Sequence, residues 1–289
     1  MKIGVIGLGI MGSAMSANLV KSGLETFGYD VVPDRRAVLE RAGGRPLETV
    51  AAVAAASPVL LTSLPSAEAL LDVARAIDRG EIVIETSTLP IAVKEEARDI
   101  LAAKGIVMLD CPLSGTGAQA RTKDLAVYAS GDRAACERCI PVFEGFARTH
   151  YYLGAFGDGS KMKFVANLLV AIHNVAAAEA LVLGEKAGLD MDLMVKVLGD
   201  GAGASRMLQV RGPMMARGDY TEATMKVSTW QKDMKIIGEF ARALDCPAPL
   251  FAATGAIYNA AMAQGFADCD TAAVCQVMEA LAGLRRERD

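Results

Sequence analysis

The sequence predicts an α/β fold over residues 1–158, a doubly wound and mostly parallel sheet, followed by an all-α domain over 159–289. Three observations predict it. Short apolar runs alternate with helical patterns through the first half; the first run leads at once into a GxGxxG; and beyond the stretch GDGSKMKFVANLLVAIHNVAAAEALVLGEKAG (157–188) no convincing strand pattern remains.

Residues 2–6, KIGVI, read as a buried strand, followed by Gly7-Leu8-Gly9-Ile10-Met11-Gly12 and the helical pattern MSANLVKSG. The next apolar run, 26–29, ends on Asp30, 23 positions after Gly7. Strand, GxGxxG, helix and a strand ending in an acid make the dinucleotide-binding, or Rossmann, fingerprint. Gly7 permits the tight turn, Gly9 lets the backbone approach a pyrophosphate, and Gly12 lets the helix pack closely on the strand. The helix start offers unpaired N–H groups to the anion. Leu8, Ile10 and Met11 belong to the same cofactor-binding turn. A carboxylate at Asp30 can accept both hydroxyls of the adenosine ribose and repels a 2′-phosphate, which favours NAD. Arg35 and Arg36 leave NADP possible, unless they simply open a solvated helix after Pro33.

The alternation continues with strands at 58–62, 82–85 and 106–109, which run into Ser63-Leu64-Pro65, Thr86-Ser87-Thr88-Leu89-Pro90 and Asp110-Cys111-Pro112. Ligands of a doubly wound sheet collect at the carboxyl ends of its strands, so these turns are expected to border the cofactor. Taken singly, each also reads as an ordinary helix cap. The run LSGTGA (113–118) has no helical or strand period. It reads equally as a loop presenting N–H groups and hydroxyls to a carboxylate and as a flexible turn before a strand at 125–129. A helix at 132–143 and a last strand at 149–153 complete this half.

In the junction, Lys163, Asn167, Val170 and Asn174 share one helical face. A lysine and two asparagines are costly to bury without partners, which makes Lys163 the candidate cation for a cleft between the domains. The plainer reading is that it snorkels to solvent. His173 has no second ligand at metal spacing and reads as packing. Helical patterns follow at 192–198, 205–211, 227–244 and 249–264. Within them Lys232-Asp233 reads either as a surface ion pair or as the second domain's contribution to the cleft.

Composition narrows the function classes. At 289 residues, 52% hydrophobic and 22% charged, the chain can bury two cores. A net charge of −4 argues against a nucleic-acid surface, and Arg285, Arg286 and Arg288 read as a solvated tail. The N-terminal apolar run is a strand and turn rather than an export signal. The most apolar helix, 164–183, carries Asn167, His173, Asn174 and Glu179, which would be expensive in lipid. No membrane association and a cytoplasmic location are therefore expected. The six cysteines read as reduced, packed thiols. Cys136 and Cys139 form a CxxC with no second pair to complete a metal site.

Four blocks in order, GLGIMGSAMSANL (7–19), DCPLSG (110–115), GDGSKMKFVAN (157–167) and Lys232-Asp233, resemble the β-hydroxyacid dehydrogenases, which include 3-hydroxyisobutyrate dehydrogenase and tartronate semialdehyde reductase. The resemblance covers nearly the whole chain. It implies hydride transfer between a nicotinamide dinucleotide and a small 3-hydroxy acid, with the cofactor between a Rossmann domain and a helical one. It further implies Lys163 as general acid/base and Ser114, Gly115, Thr116 and Asn167 around the substrate carboxylate and hydroxyl. Leu64, Pro65, Thr88 and Lys232 would lie along the cofactor. Thr116 and Lys123 stand where the family usually has glycine, which points to a carboxylate loop shaped for an unusual substrate. Leu168 replaces the second of paired asparagines.

The chemistry agrees with the residues: a base must take the hydroxyl proton as hydride leaves, and a lysine near another lysine and an apolar wall can have its pKa lowered. Imine reductases share the fold but commonly lack this lysine, and a catalytically silent dinucleotide-binding module would also have lost it. The alanine- and methionine-rich helical half has more apolar positions than one small core needs, which predicts a homodimer or homotetramer.

Overall fold

The computed structural model describes residues 1–284, so the tail containing Arg285, Arg286 and Arg288 lies outside the described residues. The run KIGVI becomes β1 (Lys2–Ile6), buried along its last four residues as a parallel strand covered on both faces must be. After it come α1 (Ile10–Lys21), β2 (Glu25–Tyr29), α2 (Pro33–Arg41), β3 (Arg45–Pro46), α3 (Val50–Ala56), β4 (Val59–Thr62), α4 (Ala67–Ala76), β5 (Ile82–Glu85), α5 (Ile91–Ala102) and β6 (Val107–Asp110). All pairings in this sheet are parallel. The strand order β3-β2-β1-β4-β5-β6 reverses direction of growth between β1 and β4, which opens a crevice at their carboxyl ends.

In the rest of the first half the strands expected at 125–129 and 149–153 are present, but a short strand and helix precede them and the expected helix is in two pieces. β7 (Leu113–Ser114), α6 (Gly117–Arg121), β8 (Ala126–Ala129), α7 (Arg133–Arg138), α8 (Ile140–Phe146) and β9 (Thr149–Tyr152) build a second sheet of order β7-β8-β9. β7 runs antiparallel to β8, and β9 parallel to it. Two residues are too few to show an alternation, which is why 113–118 carried no strand signal. The helix expected at 132–143 breaks at Cys139, because Pro141 follows with no N–H for a continuous ladder and instead starts α8. Met15 and Leu19 of α1 share one core with Leu113, Val127, Phe143 and Phe146. In this core burial pushes the Cys136 thiol up to about 11 and Cys139 to about 12, so neither is a thiolate at neutral pH.

α9 (Asp158–Lys186), α10 (Met191–Asp200), α11 (Arg206–Arg217), α12 (Val227–Ala243), α13 (Pro249–Ala263), a 3₁₀ turn (Thr271–Ala273) and α14 (Val274–Leu281) complete the described chain. The molecule divides into two compact units within the first turns of α9, after Lys163. α9 is long and apolar enough to cross a membrane by length and composition. Its buried Asn174 nevertheless donates through Nδ2 to the Tyr258 hydroxyl at 3.0 Å and the Thr271 carbonyl at 2.9 Å, which fits a core helix whose amide donor is held inside the second unit.

The end of α6 accounts for one of the two unusual residues. Lys123 N–H donates to the Ala120 carbonyl and Asp124 N–H to the Gln119 carbonyl, the paired bonds that close a helix through a left-handed residue. Lys123 is that residue, with φ 62°. A side chain there costs roughly 1–2 kcal/mol that glycine avoids. Lys123→Gly is therefore expected to stabilise the first unit by about 1 kcal/mol, read as a raised midpoint in thermal denaturation; an unchanged or lowered midpoint would refute the account.

Candidate active site

Gly7 has φ +91°, and its N–H donates to the Tyr29 carbonyl at 2.9 Å, which turns the chain sharply off β1. A Cβ on Gly12 would run into the Gly7 carbonyl oxygen, whereas a Cβ on Gly9 would project into open space. That space is a groove of about 400 Å³ lined by Leu8, Gly9, Ile10, Ser13, Arg35 and Arg121 among others. α1 starts there with no side-chain cap. An uncapped helix N-terminus, a glycine without a side chain and two arginines fit the pyrophosphate of a dinucleotide. Met11 packs its side chain on the core, so only its backbone is left for this turn.

Asp30 follows β2 and is 5% exposed. Its carboxylate accepts the Leu8 N–H at 2.7 Å and the Val32 N–H at 2.8 Å, and Arg35 stands 3.3 Å away. The acid thus braces the glycine turn from beneath. Arg36 turns to the Asp30 carbonyl at 3.1 Å and to Glu48 at 3.2 Å. On the other side of the crevice Leu64 packs 3.2 Å from the position of a Gly7 Cβ and donates its N–H to Ser87 Oγ at 2.8 Å. Ser66, next after Pro65, caps α4 by accepting the Ala69 N–H, so this turn serves both the helix and the crevice. Thr88 follows Ser87 and is half-buried.

Ser114 ends β7. Gly115 turns at φ +133°, where a Cβ would meet Leu125, and Thr116 caps α6 in a reciprocal box with Gln119. Capping supplies a structural reason for threonine at 116. The loop is therefore a strand end, a tight turn and a helix start, rather than a flexible turn.

At the start of α9, Ser160 N–H donates to Asp110 Oδ2 at 2.7 Å and its hydroxyl to Oδ1 at 2.8 Å. Lys163 lies three residues on. One turn further, in the second unit, Asn167 is 4% exposed and donates to Asp233 of α12 at 3.0 Å, with Lys232 3.5 Å from the same carboxylate. The structure thus groups Asn167 with Lys232-Asp233, which the sequence listed in separate blocks. Two features escaped sequence reading. Arg121, the last residue of α6, was singled out by no motif. Lys94, with Glu85 and Asp110, forms a wholly buried cluster behind the strand ends.

Comparison with known proteins bears directly on this architecture. A family model described as the NAD binding domain of 6-phosphogluconate dehydrogenase matches residues 2–154. A second, described as NAD-binding of NADP-dependent 3-hydroxyisobutyrate dehydrogenase, matches residues 157–278. The L-threonate dehydrogenase of Cupriavidus necator is 35% identical over 286 residues, covering 95% of either chain. The chain belongs to the β-hydroxyacid dehydrogenase family. This dehydrogenase is also 30% identical to the 2-(hydroxymethyl)glutarate dehydrogenase of Eubacterium barkeri, over 98% of its own length and 96% of the relative's. A crystal structure of 3-hydroxyisobutyrate dehydrogenase from Salmonella typhimurium matches it with a TM-score of 0.88 at 31% identity, covering 96% of this chain and 99% of that one. The protein is an NAD(P)-dependent 3-hydroxyacid dehydrogenase acting on a CH–OH group, and its first unit carries the Rossmann sheet expected from sequence.

Proposed function

We propose that this dehydrogenase oxidises a small 3-hydroxy acid of the 3-hydroxyisobutyrate, L-threonate or glycerate kind, with Lys163 as general acid/base and NAD as the preferred cofactor. The observation that carries the reading is the anchoring of α9. Ser160 ties its first turn to Asp110, the last residue of β6, so Lys163 follows directly from a fixed point at the carboxyl edge of the sheet. In this reading the turn from Gly7 to Gly12 and Asp30 hold the dinucleotide, with Leu64, Pro65, Thr88 and Lys232 along it. Ser114, Gly115, Thr116 and Asn167 receive the carboxylate and hydroxyl. Bound there, the nicotinamide supplies the hydride acceptor. The neutral Lys163 amine takes the hydroxyl proton during oxidation, and its ammonium returns it during reduction. The proposed location is cytoplasmic, and the proposed oligomer would bury the exposed Leu183, Leu193 and Val197 of α9 and α10.

Initial rates with a panel of 3-hydroxy acids, each with NAD and with NADP, test the reading; no turnover with any acid while the dinucleotide still binds would overturn it. Cofactor choice has its own test. Charge-assisted hydrogen bonds from a ribose are worth about 1.5–3 kcal/mol, so Asp30→Ala is expected to raise the KM for NAD roughly 10- to 100-fold. An NAD KM within twofold of wild type in Asp30→Ala would remove the ribose role.

A further inference from the structure

Lys94 occupies a position that the helical period assigns to the core, since Lys94, Ala97 and Leu101 are the buried face of α5. Its Nζ lies 2.6 Å from Glu85 Oε2 and 2.7 Å from Asp110 Oδ1, and all three side chains are 0% exposed. Glu85 and Asp110 are the last residues of β5 and β6 and sit side by side in the sheet register. The amine therefore ties two strand ends together at the edge where ligands of this fold collect.

The cluster continues in both directions. Ser87 N–H donates to Glu85 Oε1 at 2.8 Å, and the Leu64 N–H donates to Ser87 Oγ at 2.8 Å. On the other side Asp110 accepts both the N–H and the hydroxyl of Ser160. Gly159 N–H donates to Ser130 Oγ at 2.9 Å, and that hydroxyl donates to the Asp110 carbonyl at 3.1 Å. A Cβ on Gly159 would lie 2.7 Å from the same carbonyl oxygen, so the start of α9 is seated against the strand end without room to slide. A path of hydrogen bonds, joined by the Glu85–Lys94 ion pair, runs from the Leu64 turn to Ser160, three residues before Lys163.

Stability alone does not call for such an arrangement. Burying an ion cluster is often no better than packing apolar side chains of the same volume, whereas a satisfied polar network specifies a single geometry. Burial opposes the charge on Lys94, but Asp110 and Glu85 outweigh it and raise its pKa, so the ammonium persists across the working range. We propose that Lys94, Glu85, Asp110 and Ser160 are positioning residues, which hold the first turn of α9, and with it Lys163, at a set distance from the Leu64 turn. The inference rests on Lys163 being the acid/base.

Lys94→Met leaves two carboxylates facing each other in the core and is expected to lower the melting temperature sharply or prevent folding. Ser160→Ala removes one hydroxyl and keeps every charge, and it is the decisive variant. Assayed in the full-length enzyme with an acid that the wild type oxidises, it is expected to lose roughly 10- to 100-fold in kcat, the effect of displacing a catalytic group by about an ångström. KM and NAD affinity should stay within twofold, and amide hydrogen exchange should quicken over residues 158–164. A kcat within twofold of wild type, beside an inactive Lys163→Ala, would overturn the positioning role. Parallel losses in kcat, KM and NAD affinity would reduce it to general damage and overturn it equally. Wild-type turnover by Lys163→Ala would instead remove the acid/base reading, and this inference with it.

Discussion

Lys163→Ala is expected to lower kcat by roughly 10²- to 10⁴-fold, the usual worth of a general acid/base, with little change in dinucleotide affinity. The reason for the split is local. The glycine turn, Asp30 and the groove with Arg35 and Arg121 are all built by residues before 122, and none of their described bonds involves α9. Removing the amine leaves the proton of the substrate hydroxyl without its proposed acceptor while the hydride acceptor still binds. Stopped-flow turnover beside fluorescence titration of the cofactor separates the two. Retained turnover would move attention to Lys161, whose ammonium is engaged with Asp158 at 2.8 Å, or to Lys232.

Asp270→Asn is expected to cost about 3–5 kcal/mol, the penalty for leaving a buried charge without its partner. Asp270 is fully buried, and its Oδ1 accepts Arg211 Nε at 3.2 Å and the Ala272 N–H at 3.0 Å. Oδ2 accepts the N–H and hydroxyl of Thr224, each at 2.8 Å, so one carboxylate joins α11, the loop before α12 and the 3₁₀ turn. Burial works against its charge, but the Arg211 guanidinium and these donors outweigh burial and hold the carboxyl below its ordinary range. A carboxyl with a lowered folded pKa contributes stability above its unfolded pKa and loses it as pH falls through the folded value. The wild type should therefore melt on the order of 10 °C above the variant at neutral pH, and the gap should close below about pH 4. A gap independent of pH in that range would contradict the ion pair as its source.

Legibility of the fold and site from sequence follows the range of the signal. β1, the glycine turn and Asp30 are contiguous and periodic, and each was readable with the reason for each residue attached. The two-residue β7 was not, since a pairing so short is stabilised by β8 and by the core it shares with α1 and α8. Pro141 was visible as a letter, yet whether it bends a helix or starts a new one depended on what packs around Cys139. Lys123 looked like a substrate-loop substitution until its backbone placed it at a helix end. Lys94 carried the one overlooked signal, a charge on the apolar stripe of α5.

The sequence alone determined the longer strands of the first half, the passage from α/β to all-helical near residue 158, the dinucleotide turn and the candidacy of Lys163. Those depend on neighbours along the chain, through side-chain period and backbone freedom. Only the tertiary structure decided which buried charges meet. Lys94 finds Asp110 16 positions away, Ser160 finds it 50 away, and Arg211 finds Asp270 59 away. No local pattern encodes such pairings, because a buried charge is tolerated only where the folded chain delivers its partner.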